Sequence, residues 1–204
     1  MDPGIAREPD LRSAISRNLR RFERRASPGP LIPAAVAVVL LQGEGVPRLP
    51  IFQRTLGMSR HAGQMALPGG KVHPGEDAFE CAIRELDEEL GLAVERSDVL
   101  GALDDFDTRS GFTITPIVVW SDAGAAVLRP SASEVGELYL IGTHELREAV
   151  ASARPGVSAS FSLRLPSVEV FAPTGAILYQ FSEVALDGRS CRVADFYQPP
   201  FTHR

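Results

Sequence analysis

Apolar residues recur along the chain with two periods, and the changes between them mark out its elements. Within residues 7–25, Leu11, Ile15, Leu19 and Phe22 follow one another at four, four and three residues, the spacing of one helix face, and the opposite face carries arginines. Ser27-Pro28-Gly29-Pro30 ends that helix. A Val/Ala/Leu run from Pro33 to Leu41 predicts a buried strand, Gln42–Pro47 a turn and Leu49–Arg54 its hairpin partner. Val99–Phe106 and Phe112–Trp120 read as two more strands joined by the polar turn Asp107–Gly111, and Val135–Ile141 as another. His144–Ala153 and Thr174–Ala185 have helical spacing, and Val193–Phe196 reads as a short final strand. Strands outnumber helices and pair partly as hairpins, which predicts an α/β fold with a mixed sheet covered by helices.

Composition narrows the class. The chain has 204 residues, 44% hydrophobic and 23% charged, as expected of one ordinary globular unit. The longest apolar run, near Ala34–Leu41, is far short of the ~20 residues a spanning helix needs, so no association with a membrane is expected. Acidic residues near the N-terminus and the lack of an apolar core there argue against a secretory signal, and the expected location is cytoplasmic. Cys81 and Cys191 are too few for a disulfide framework or a thiolate zinc site and are expected to be reduced. The arginine-bearing helix lacks interleaved aromatics, so nucleic acid is not an expected partner.

The formal charge of -5 conceals an uneven distribution. Between Gly70 and Asp107 twelve acidic residues face three basic ones, a local balance of -9, and the remainder of the chain is +4. A helix starting near Phe79 lies inside this window. With Phe79 at 0° and about 100° per residue, Ala82, Ile83, Leu86 and Leu90 fall within about 60° of it, a predicted core stripe. Glu85, Glu88 and Glu89 fall at about 240°, 180° and 280°, on one flank, with Cys81 at about 200° as small filler. Like charges at this spacing repel, and near the helix C-terminus the macrodipole disfavours them too. A divalent cation reverses the sign of that interaction, because carboxylate oxygens are the ligands that Mg²⁺ or Mn²⁺ accepts. Arg84 can pair with Glu80 or Glu88 at i±4, and Gly91 suits the position that stops the helix. Upstream, Pro68-Gly69-Gly70 and His73-Pro74-Gly75 form turns where small residues allow a ligand to approach the backbone.

Gly70, Glu76, Arg84, Glu85, Leu86, Glu88, Glu89, Gly91 and Leu92 together match G-x5-E-x7-R-E-U-x-E-E-x-G-U, with U an aliphatic residue, at every specified position. This segment resembles the signature of the Nudix hydrolases. The resemblance implies an α/β/α sandwich with a central mixed sheet and flanking helices over residues 31–204, preceded by the helix and linker of residues 1–30. It also implies Mg²⁺ or Mn²⁺ dependence and attack of water on a nucleoside diphosphate linked to another moiety. By the family pattern Glu85, Glu88 and Glu89 are metal ligands, Arg84 orients them, and Gly70 and Glu76 support the loop and helix start. The family's general base varies. Glu134 is the preferred candidate here, with Glu137, Asp104, Asp105 and Asp107 as alternatives.

The stretch before the signature, with Arg54, His61-Ala62-Gly63-Gln64 and Pro68-Gly69-Gly70 in register, resembles an extra motif of the coenzyme A diphosphatases. Leu100-Gly-Ala-Leu-Asp104-Asp105 and Phe112-x3-Pro116 extend that likeness, whereas Ser59, Leu67 and Ile51-Phe52-Gln53 depart from it. The resemblance implies a small-molecule nucleotide substrate, coenzyme A or an acyl derivative, cleaved to 3′,5′-ADP and 4′-phosphopantetheine or its acyl form. Arg54, Arg60, His61, Gly69, Gly70 and Lys71 are then substrate contacts. ADP-ribose, NADH or a nucleoside triphosphate as substrate, and a non-catalytic nucleotide-binding role, remain as alternatives. A homodimer would use the N-terminal helix or the C-terminal third, where little is recognised beyond Val170-Phe-Ala-Pro-Thr174-Gly175-Ala176, which loosely resembles the coenzyme A diphosphatases' downstream helix start without its usual tryptophan.

Overall fold

The structure, a computed structural model, describes residues 10–43, 45–57, 62–154 and 160–200. The apolar run that dominates the hydropathy pattern forms strand β1 (Ile32–Leu41), which pairs in parallel along its whole length with β7 (Phe112–Ser121). Strand β2 (Arg48–Arg54) meets β1 at Leu41 and Arg48, completing the predicted hairpin, and then runs antiparallel to β8 (Val135–Gly142). The rest of that edge of β1 is taken by β4 (Gly69–Lys71), while β3 (Met65–Ala66) lies on β2. On the far side β5 (Val99–Ala102) and β6 (Phe106–Asp107) run antiparallel to β7. One parallel pair in an otherwise antiparallel sheet makes it mixed, as the pattern predicted.

Both faces of this sheet are covered, which explains why β1 reads as a continuous apolar run rather than an alternation. Ala35, Ala37, Val39 and Leu41 face helix α2 (Ala78–Leu90). Val38 and Leu40 face the other layer, built from α1 (Leu11–Arg21), α3 (Thr143–Ser152) and α4 (Thr174–Gln180), which a π-helical turn, Phe181–Leu186, prolongs. A small hairpin, β9 (Ser162–Arg164) and β10 (Glu169–Phe171), packs beside α4. Among the described residues no helix is long and apolar enough to cross a membrane.

Four predicted elements differ from those observed. The strand expected over Val99–Phe106 is broken at residues 103–105, where the chain turns its polar groups to other partners. The Asp104 amide donates to Gln180 and the Asp105 amide to the carbonyl of Arg25. The first helix ends at Arg21 rather than residue 25, because Arg24, Arg25 and Ser27 are drawn into the same carboxylates: Arg24 pairs with Asp105, the Arg25 amide donates to Asp104 and the Ser27 amide to Asp105. Residues 7–9 of that expected helix lie outside the described residues. No strand forms over Val193–Phe196; Val193 alone is buried and Phe196 closes a turn onto its carbonyl. On α2, Phe79 and Ile83 are only half-buried, whereas Cys81, Ala82, Glu85, Leu86, Glu89 and Leu90 are buried. The buried arc is thus rotated by roughly 70° from the predicted stripe, which brings two of the three flank carboxylates onto the sheet.

Asp104 is the hub that closes the first helix and the C-terminal segment onto the sheet. Its buried carboxylate accepts from Arg192 at 2.8 and 2.9 Å, from Gln180 at 2.8 Å and from the Arg25 amide at 2.7 Å. Removing one partner of such a pair leaves the other charge without compensation. Asp104→Ala is expected to lower the unfolding free energy by about 3 kcal/mol, measured by equilibrium urea denaturation.

Candidate active site

The start of α2 is fixed by its own side chains. Asp77 accepts from the Glu80 amide and Glu80 from the Asp77 amide, a reciprocal capping box. Glu80 is therefore committed to the cap and is not the i−4 partner of Arg84. The other end stops at Gly91, which adopts a left-handed φ of 62° and sends its amide to the carbonyl of Asp87. Two further carbonyls of the last turn, Glu89 and Leu90, accept from the amides of Ser131 and Arg129 at 2.8 and 2.7 Å. The loop carrying Glu134 is thereby fastened to the end of the helix that carries the glutamates.

Glu85 and Glu89 point from α2 toward the glycine pair at the start of β4. Glu89 is only 1% exposed; its Oε2 accepts from the Gly69 amide at 2.9 Å and its Oε1 from Arg54 at 3.4 Å. A Cβ on Gly70 would overlap the Glu85 carboxylate, and one on Gly69 would overlap the backbone of Ala35 and Val36. Gly69 needs glycine for lack of space against backbone, whereas at Gly70 a side chain would have to displace the Glu85 carboxylate that Arg84 holds. Arg54 also stands 3.9 Å from Glu134, so one guanidinium bridges the end of α2 and the loop before β8.

Arg84 gathers the other carboxylates. It donates to both oxygens of Glu76 at 2.9 and 3.2 Å, to Glu85 at 2.8 Å, to Glu88 at 2.9 Å and to the carbonyl of Lys71 at 3.2 Å. Arg84 holds the Glu76 carboxyl below its usual range, and Glu76 also caps the turn by accepting from the His73 amide. Burial has the opposite effect deeper in. Desolvation raises Glu85 despite Arg84, and pushes Glu89 up to about 8 despite the Gly69 amide and Arg54, with Glu134 adding repulsion to both. The Cys81 thiol, buried under the same strands, is pushed up to about 11, consistent with filler rather than a nucleophile.

The site therefore has more negative charge than its two arginines offset. Among the described residues no three metal-binding side chains already form a cage, since Arg84 and the Gly69 amide hold several of the oxygens. The donors are nonetheless all carboxylate oxygens, with Glu88 still 55% and Glu134 40% exposed at the rim. That is the ligand chemistry of a hard divalent cation, and such a cation supplies the positive charge the buried pair lacks. The residues fit the group.

A cleft of about 910 Å³ opens on the other side of the glycine pair, lined by Arg54, Gly69, Gly70 and Lys71 and, among the described residues, by none of the α2 carboxylates. Gly69 and Gly70 are thus the partition between the cleft and the glutamates. Of the residues predicted from sequence, Arg54, Gly69, Gly70, Lys71, Arg84, Glu85, Glu88, Glu89 and Glu134 are brought together; Arg60 and His61 lie outside the described residues. Glu137 is exposed on β8 opposite Gln53 and bonded to Tyr139. Asp105 and Asp107 hold the linker after α1 and the threonines of β7, and Asp104 the network described above, so the three aspartates are structural clamps. What sequence reasoning missed is the far wall of the cleft, formed by residues 168–177 of the C-terminal segment. The local signals there were the helix start at Thr174 and the loose family likeness of Val170–Ala176, neither of which pointed to a cleft.

Residues 31–154 match the NUDIX domain family. The chain is 33% identical over 136 residues to a protein named uncharacterized Nudix hydrolase NudL from Pectobacterium atrosepticum, covering 64% of this chain and 70% of that one. It is 34% identical over 135 residues to mitochondrial coenzyme A diphosphatase NUDT8 from Mus musculus, covering 65% of this chain and 62% of the relative, a little under two thirds of its length. A crystal structure of a NUDIX hydrolase from Alicyclobacillus acidocaldarius superposes with a TM-score of 0.53 at 14% identity, over 80% of this chain and 95% of the other, and shares its fold. Family match, fold and the complete run of signature residues agree: the chain belongs to the Nudix family of pyrophosphohydrolases.

Proposed function

We propose that the protein hydrolyses coenzyme A or an acyl-coenzyme A at its diphosphate, giving 3′,5′-ADP and 4′-phosphopantetheine or the acyl form. The observation that carries this reading is the place of Arg54. It belongs to the stretch that resembles the coenzyme A diphosphatase motif, and it both lines the cleft and bridges Glu89 and Glu134. The relative named a coenzyme A diphosphatase supports it.

In this reading Glu85, Glu88 and Glu89 hold Mg²⁺ or Mn²⁺, which when bound neutralises diphosphate charge and sharpens the acidity of water. Arg84 keeps the carboxylates grouped from one side, and the Gly69 amide fixes Glu89 from the other. Lys71 and Arg54 face the anionic substrate from the cleft side of the glycine partition, with Arg60 and His61 assigned to the same task on sequence grounds. Glu134 takes the proton of the attacking water as the new P–O bond forms. The phosphorus–oxygen bond of the anhydride breaks, and the bridging oxygen leaves with the second phosphate.

Incubation of the protein with Mg²⁺ or Mn²⁺ and a panel of coenzyme A, ADP-ribose, NADH and nucleoside triphosphates, with products identified by mass, tests the substrate. Coenzyme A is expected to yield the two products above; ADP-ribose consumed beside intact coenzyme A overturns the reading, and no turnover of any member favours a binding role. Glu134→Gln is expected to lower kcat on the order of 10²-fold or more with a smaller effect on KM.

Glu88→Gln and Glu89→Gln are each expected to lose more than ~100-fold in turnover while the circular dichroism spectrum is retained. Glu89 has a second signature. A carboxyl raised from 4.5 to about 8 on folding favours the folded state fully below 4.5 and loses that contribution as pH rises toward 8. In metal-free buffer the Tm of the wild type is therefore expected to fall between pH 5 and 8, and Glu89→Gln to flatten that slope. Equal slopes in scanning calorimetry would contradict it.

A further inference from the structure

The two arginines of the site hold its acids in different ways. Arg84 is locked among Glu76, Glu85 and Glu88 by bonds of 2.8 to 3.2 Å. Arg54 reaches Glu89 Oε1 only at 3.4 Å and Glu134 Oε2 only at 3.9 Å, longer than the about 2.7–2.9 Å of a good charge-assisted bond. These two loose contacts fall on oxygens outside the tighter set, since Arg84 takes Glu85 Oε1 and Glu88 Oε2 and the Gly69 amide takes Glu89 Oε2. A dication that takes Glu89 Oε1 therefore competes with Arg54, because two cations on one carboxylate oxygen repel each other.

The backbone at Arg54 is pinned on both sides. Its amide donates to the Gln64 carbonyl at 2.9 Å, its carbonyl accepts from the Gly63 amide at 3.0 Å, and the next amide, that of Thr55, donates to the Glu134 carbonyl at 3.0 Å. A change of partner at this position is thus a change of side-chain rotamer rather than a movement of the strand end. The side chain stands where such a change has an effect, since it lines the cleft as well as touching the two acids. The planar fork of an arginine fits phosphate as well as carboxylate. Lys71 differs. It lines the same cleft with its ammonium 5.5 Å from the centre of the Phe112 ring, and among the described residues it forms no ion pair.

We propose that Arg54 exchanges partners when the site is loaded: in the metal-free protein it bridges Glu89 and Glu134, and a divalent cation seated on Glu89 turns its guanidinium into the cleft, onto the phosphate oxygens of the substrate. The inference rests on the assignment of Glu89 as a metal ligand above and adds to it an order of binding, metal first and anion second. Because coupling between two sites is reciprocal, the anion also tightens the metal by the same factor.

The test is calorimetry on the full chain, with Mn²⁺ as the metal and 3′,5′-ADP as the anion, an expected product that has no diphosphate left to hydrolyse. Arg54→Gln is expected to bind Mn²⁺ several-fold more tightly than the wild type, because the competing cation is gone. Its affinity for 3′,5′-ADP is expected to stay within about twofold of wild type without metal and to fall roughly tenfold below it with saturating Mn²⁺. Glu134→Gln, which removes one of the two acids that hold Arg54, is expected to shrink the Mn²⁺-dependent gain from the other side by raising the metal-free affinity. Lys71→Gln, the control, is expected to weaken 3′,5′-ADP by one factor in both conditions. An equal loss in Arg54→Gln with and without Mn²⁺ marks a fixed charge and overturns the inference, as do unchanged Mn²⁺ affinity in that variant and a wild type that fails to bind 3′,5′-ADP with Mn²⁺. Glu89→Gln separates this failure from that of the reading beneath it. Mn²⁺ affinity unchanged in Glu89→Gln overturns the metal assignment and the exchange together; affinity lost there, beside equal losses in Arg54→Gln, overturns the exchange alone.

Discussion

The Gly69 amide donates 2.9 Å to a carboxylate stripped of nearly all its water, and the neighbouring Gly70 leaves no room for a methyl group beside a second one. Burying two acids side by side costs free energy, since each is desolvated and Glu85 raises Glu89 further. Arg84 and Arg54 recover part of that cost. The capping box, the left-handed Gly91 and the Ser131 and Arg129 amides hold the helix in the one rotation that keeps both acids against β4. Stability alone does not select this arrangement. The site is short of positive charge, which is the condition under which a dication would be held there.

The glycine pair also divides labour. On one side stand acids held by short polar contacts, on the other a cleft whose edge is cationic and whose remaining walls mix apolar with polar side chains. Because β4 is hydrogen-bonded into the edge of β1, the partition is part of the sheet. Its position follows the central strand, which is in turn locked to β7 through ten residues of parallel ladder. The central ladder therefore sets the distance between the carboxylate cluster and the cleft.

The carboxylate cluster was legible in the sequence because its residue types and spacing sit within about twenty residues of one loop and helix. The strands were legible where they are long and apolar. The rotation of α2 was not, because a wheel scored on hydrophobic residues treats Glu85 and Glu89 as surface, whereas these acids face inward and displace Phe79 and Ile83 to the margin, where Arg96 covers the Phe79 ring. The break at residues 103–105 was hidden for a related reason: apolar neighbours suggested a strand, but the aspartates are claimed by Arg24, Arg25 and Arg192 from the two ends of the chain. The cleft wall had almost no signal. Its strands are three residues long, and the contact that places it, Thr174 to Met65, spans 109 positions.

The first helix gains its partners from the other end of the chain. Asn18 donates to the carbonyl of Ala185, Arg192 to that of Glu23, and Ile15 is sealed within the same apolar layer as the turn at Phe181–Leu186. During synthesis, residues 11–21 leave the ribosome long before residues 181–192 exist, so this amphipathic helix waits with its apolar face uncovered. The signature helix and the central ladder are complete once β8 has been made, yet the layer that floors the cleft is not. A nascent chain thus carries the carboxylates of α2 well before residues 168–177, the far wall of the cleft, have been made, so the pocket closes only after every strand of the central sheet exists.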